Sequence, residues 1–108
     1  MANTFTSYMN KNVGTSPATV VTVGAATQTT IIGLDIANTT SSPITADVYV
    51  TRSAVDYYLI KSAVVPVGGS LIVVGADQKV VLITSDVLKV VTSAASSADV
   101  VTSVLNIT

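Results

Sequence analysis

The 108-residue chain has no cysteine, no histidine, no tryptophan and no glutamate, and only one phenylalanine. Without cysteine, these residues offer neither a disulfide framework nor a thiolate nucleophile. Without histidine they lack the side chain that most readily shuttles protons near neutral pH. A serine nucleophile would need lysine as its base, and no SxxK spacing occurs. Soft and imidazole metal ligands are missing, and no DxDxDG-like loop collects the six aspartates around a calcium ion. Gly68-Gly69 is not followed by the lysine of a phosphate-cradling loop. The chain is therefore read as a non-enzyme with no catalytic residue, no cofactor, no metal and no small-molecule substrate.

Charge is equally scarce, with five basic residues against six acidic ones. Lys11, Arg52, Lys61, Lys79 and Lys89 are scattered, whereas a nucleic-acid partner needs a concentrated basic surface. No apolar run approaches the roughly 20 residues of a membrane span. Residues 1–14 are polar and do not resemble a signal peptide. The expectation is a soluble chain, made in the cytoplasm, with no nucleic-acid or membrane partner.

What the chain does have is β-branched residues. Hydrophobic residues make up 49% but aromatics only 5%, so Val, Ile, Leu and Ala must fill the interior. Val, Ile and Thr suit a pleated surface better than a helix. About 108 residues bury roughly 65% of the unfolded surface, enough for one core.

The clearest stretch is Ile44–Ile60. Ile44, Ala46, Val48 and Val50 alternate with Thr45, Asp47, Tyr49 and Thr51, the pattern of a strand buried on one side. A polar corner at residues 52–56 turns the chain into a second limb carrying Tyr57, Tyr58 and Lys61. Around this hairpin, strands are expected over about 18–23, 28–37, 70–74, 78–83, 87–92 and 99–107. Turns are expected at Gly24–Ala26, Asn38–Pro43, Gly68-Gly69, Gly75–Asp77, Thr84–Asp86 and Ser93–Ala98. Gly33 reads as a bulge or a close backbone approach, and Pro66 as a residue at an edge or outside the sheet. Residues 1–16 lack periodicity and are expected as an N-terminal arm, frayed or laid on a neighbour by Phe5, Tyr8 and Met9. Residues 17–108 form the domain: an antiparallel β-sandwich of about eight strands, immunoglobulin-like or jelly-roll-like.

The segments SLIVV, KVVLI and VVTSVL are apolar on both faces. One face goes to the core. The other needs cover, from copies of the same chain or from a loop or the arm. The tyrosine hairpin allows a cross-strand aromatic pair or, with Arg52, a protein contact. The interface candidates are Phe5, Tyr8, Met9, Tyr49, Arg52, Tyr57 and Tyr58.

Five blocks also resemble small β-sandwich virion proteins of tailed bacteriophages. They are residues 32–40 (IGLDIANTT), the hairpin over 48–61, residues 65–73 (VPVGGSLIV), the hairpin over 78–90 and the serine-rich loop with closing strand over 93–108. Thr84-Ser85-Asp86 departs from the pattern, which has Gly before the Asp. The resemblance implies a structural protein in many copies, contacting itself and other virion proteins; capsid, neck and tail or baseplate positions all use such sandwiches, and capsid decoration or the head–tail joint is the expectation. The alternative, carried by the tyrosine hairpin, is a carbohydrate- or receptor-binding module of a tail fibre or baseplate.

Overall fold

The computed structural model describes residues 2–75 and 79–108. The expected turn residue Asp77 and the expected strand start at Gln78 lie outside them. Nine strands occur among the described residues: β1 (Asn3–Val13), β2 (Ala18–Thr22), β3 (Gln28–Asn38), β4 (Ile44–Arg52), β5 (Val55–Val65), β6 (Ser70–Val74), β7 (Val80–Leu82), β8 (Val87–Thr92) and β9 (Ala98–Ile107). They form two antiparallel sheets. One runs β1-β9-β3-β6 with β7 also on β3, and the other runs β2-β8-β4-β5.

The pairing has a simple origin. The chain is one long hairpin with its tip at Ser53-Ala54, and its two arms pair β1 with β9, β2 with β8, β3 with β6 and β7, and β4 with β5. Partner numbers add to between 107 and 111 along all these ladders. Rolling this double strand brings β3 against β9 and β4 against β8, which closes the two sheets. Such a rolled hairpin is a jelly roll, and it decides between the two connectivities left open by the sequence.

At the tip, Ser53 (φ 53°) and Ala54 (φ 63°) both occupy the left-handed region that a tight hairpin turn demands. Ile44, Ala46, Val48 and Val50 are buried as the alternation predicts. With Ile31, Leu34, Ile36, Leu88, Val90, Val100 and Val104 they fill the space between the sheets. Each valine, leucine and isoleucine among them contributes roughly 1.5–3 kcal/mol by leaving water. The ladder of β3 with β9 shifts register between Ile31 and Gly33, which favours the bulge of the two readings of that glycine. A shift between Thr19 and Val21 lets adjacent Val20 and Val21 both be buried, where strict alternation would expose one.

The N-terminal arm is corrected. Asn3–Val13 is an edge strand of its own chain, in register with β9 from Asn3–Ile107 to Asn10–Val100. Asn10 Nδ2 donates to Thr19 O at 3.1 Å, and Ser97 N donates to Val13 O at 2.9 Å. Its free edge also adds the strand that raises the count from eight to nine.

Candidate interaction surface

Residues opposite one another in an antiparallel ladder point to the same side of the sheet. The ladders therefore define rows across the outer face of the first sheet. One row is Phe5, Leu105, Thr30 and Val81. The next is Ser7, Ser103 and Gly33, and the third is Met9, Val101, Asp35 and Ile72. Phe5 is 75% exposed, Met9 73%, Ile72 69%, Val81 56% and Val101 42%, so these large apolar side chains stand in water. Between the two apolar rows the small residues leave a shallow trough, lined by Gly33, Asp35, Ile72, Val101 and Ser103. Asp35 Oδ1 is buried there without a hydrogen-bond partner among the described residues.

The outer face of the second sheet is different. Its rows carry Thr45, Asp47, Tyr49 and Thr51 from β4, with Lys89 and Val91 from β8. Asp47 accepts from Ser62 N at 2.6 Å, and Lys61 Nζ lies 3.7 Å from Asp47 Oδ2. This face thus carries charged and hydroxyl groups, with Tyr58 and Val64 exposed among them. The arm does not cover the apolar face; as β1 it extends that face and adds Phe5 and Met9 to it.

The interface candidates divide accordingly. Phe5 and Met9 are exposed side by side with the apolar strands. Tyr8 is opposite Thr102, on the inner side, and packs against the core. Tyr49 is 7% exposed and so cannot serve as a contact residue. It faces Tyr58 across the ladder with ring centroids 5.0 Å apart, and Lys61 Nζ sits 4.5 Å from the Tyr58 centroid. Burial, with Asp56 nearby, raises the Tyr49 phenol above its ordinary pKa. Tyr58 is about half exposed, and its ring is already engaged by Tyr49 and Lys61. Tyr57 is exposed at the mouth of the sandwich, beside Val50, Arg52 and Val80–Leu82.

Arg52 has a structural task instead. Its Nε and Nη2 donate to the two oxygens of Asp86 at 2.9 and 2.6 Å. The Asp86 side chain is 1% exposed and also accepts from Ile83 N at 2.9 Å. Arg52 holds the Asp86 carboxyl below the usual carboxylate range, with help from Ile83 N–H and against the opposing effect of burial. Asp86 O accepts from Val23 N at 3.0 Å, so this pair clasps the hairpin tip to the end of β2 and the turn before β8. In that turn Ser85 has φ 73°. The departure from Gly at this position leaves the left-handed conformation in place and makes a serine adopt it.

The residues missed by sequence reasoning are Ile72, Val81, Val101 and Leu105. Their strands were singled out as apolar on both faces, which was the available signal; the ladder register was needed to name the residues. Among the described residues no three His, Cys, Asp or Glu side chains gather to hold a metal. No helix among the described residues is long and apolar enough to cross a membrane.

No family model matches the sequence, and no curated protein matches it. Among solved structures the chain is similar to one reported under "Bacillus endospore appendages form a novel family of disulfide-linked pili". The identity is 13%, the TM-score 0.57, and the match covers 99% of this chain and 87% of that one. At this identity the likeness establishes a shared β-sandwich fold.

Proposed function

We propose that the chain is a non-enzymatic structural subunit that packs in many copies. The observation that carries this reading is the apolar outer face of the β1-β9-β3-β6 sheet. Five large apolar side chains there are at least 42% exposed, whereas the outer face of the second sheet mixes exposed Tyr58 and Val64 with Asp47, Lys61 and threonines. A lone domain gains nothing from displaying such a face, and a packed subunit buries it. Low net charge, −1 over the whole chain, removes most of the repulsion that would keep copies apart. The resemblance to tailed-phage virion proteins supports a virion setting with copies of itself and other virion proteins as partners, and within it the reading taken is capsid decoration or the head–tail joint. The fold neighbour belongs to disulfide-linked pili. These 108 residues contain no cysteine, so contacts made through them are not disulfide-linked. A glycan- or receptor-binding role for the tyrosine hairpin is the weaker reading, because Tyr49 is buried and Tyr58 is engaged. Peptide mass spectrometry and labelled electron microscopy of purified phage particles test the setting. Regular copies on the head or joint support it, and absence from intact particles overturns it.

A further inference from the structure

We infer that β1 is the edge through which two copies of this chain join, strand to antiparallel strand about a two-fold axis at Ser7. The inference rests on the multi-copy reading above and names its contact.

The argument begins with the edges. An open strand edge invites pairing with another chain, and folded proteins usually blunt it by shortness, bulges or charge. β2 and β6 have five residues each and β7 three, and both β2 and β6 carry a register shift. β5 is long, but its ladder shifts twice, Ser62 has φ 53°, and Lys61 lies on it. β1 has its own register shift and a left-handed Asn12 (φ 56°), but both fall at its end, and the eight residues Asn3–Asn10 make the longest unbroken run among the described edges. Its single charge, Lys11, pairs with Asp99 at 3.1 Å, and pairing centred on Ser7 sets it opposite Asn3 of the other copy, away from the second Lys11.

The backbone parity is fixed as well. Ala2 and Thr108 exchange both N–H···O bonds, at 3.0 and 2.9 Å. In an antiparallel ladder such bonded pairs alternate, so Thr4, Thr6 and Tyr8 bond to β9. Asn3, Phe5, Ser7 and Met9 therefore direct their N–H and C=O groups out of the sheet. Pairing β1 with its own copy about Ser7 matches these groups to one another. In that register Phe5 of each copy lies opposite Met9 of the other, on the apolar outer face, and Thr6 lies opposite Tyr8 on the inner side. The aromatic–sulfur contact this creates is favourable, and both side chains leave water. The apolar rows of the two sheets then run on as one continuous surface.

The test uses the full chain. Ser7→Pro removes an outward N–H without taking a bond from β9, and a proline is tolerated at an edge. It is expected to raise the dissociation constant measured by sedimentation more than about tenfold, with the thermal midpoint of the monomer nearly unchanged. Because the chain has no cysteine, single cysteines report the register directly. With a short bismaleimide, Ser7→Cys should join to its own copy. Phe5→Cys mixed with Met9→Cys should join more than either alone. Val64→Cys, exposed on β5, should remain unlinked. Association that persists in Ser7→Pro, with no Ser7→Cys self-linking, overturns the β1 contact and leaves the multi-copy reading standing. An unaltered chain that never associates overturns both. If Ser7→Pro does not fold, the cysteine pairs decide.

Discussion

Replacing Asn38 by aspartate changes one NH2 for an oxygen at a junction of four segments. Asn38 is 5% exposed at the end of β3. Its Nδ2 donates to Ser42 O at 2.9 Å and Val65 O at 3.1 Å, while its Oδ1 accepts from Thr40 N at 2.9 Å and Thr40 Oγ1 at 2.8 Å. The amide orientation is forced, because a backbone N–H can only donate and the two carbonyls can only accept. Its backbone N also donates to Gly69 O at 3.0 Å. Asn38→Ala forfeits these side-chain bonds and should cost about 2–3 kcal/mol. Asn38→Asp keeps the shape but turns a carboxylate towards two carbonyls, and should cost about 3–5 kcal/mol at pH 7. Burial and the carbonyls raise the new carboxyl's folded pKa above its unfolded value of about 3.9. Between those values the folded chain binds more protons, so stability falls as pH rises. The Asp variant should therefore recover part of its loss towards pH 4, where a neutral carboxyl can donate one bond, and the Ala variant should not. Urea unfolding at pH 4 and 7 reads this as a midpoint shift of roughly 1–3 M at pH 7. Equal costs for Asp and Ala at both pH values, or losses under about 0.5 kcal/mol, would refute the reasoning.

Other consequences are more compact. Asp86 has a depressed folded pKa, so its contribution is full above about pH 4 and is lost as pH falls through the folded value. Acid unfolding of Arg52→Ala should be shallower in that window than that of the unaltered chain; an identical acid limb would contradict the clasp. Thr92 Oγ1 lies 2.6 Å from Ser97 Oγ and 2.9 Å from Ala94 O, in a buried knot that ties β8 to the start of β9. Thr92→Val keeps the volume and should cost about 1–3 kcal/mol by denaturant titration. Ser85→Gly should stabilise by about 0.5–1 kcal/mol, since glycine takes positive φ without the steric penalty that serine bears. A destabilised glycine variant would mean that the serine side chain matters more than its backbone.

How legible all this was in the sequence depends on which interactions decide each element. The hairpin over Ile44–Ile60 was readable because one face goes to the core and period-two alternation records that locally. β1 was not. Its apolar Phe5 and Met9 point outward and its Thr4, Thr6, Tyr8 and Asn10 inward, so its alternation looked like disorder. Tyr49 shares a face with Thr45 and Thr51, yet it is buried because Tyr58 covers it from β5, a contact set by register. The turn at Ser53-Ala54 has neither Gly nor Asn, and its positive φ values are imposed by the strands it joins. The jelly-roll connection itself depends on which distant strands meet, which local pattern does not encode. The apolar second face of SLIVV and VVTSVL, by contrast, was visible from composition alone, and it became the centre of the functional reading.

Sedimentation velocity of the purified chain, from about micromolar to about millimolar concentration, tests that reading most directly. The account predicts a reversible rise in sedimentation coefficient above that of an 11.0 kDa monomer, abolished when Phe5, Met9 and Ile72 are replaced by lysine on an intact fold. A single monomeric boundary across the whole range, unchanged by those substitutions, would contradict it.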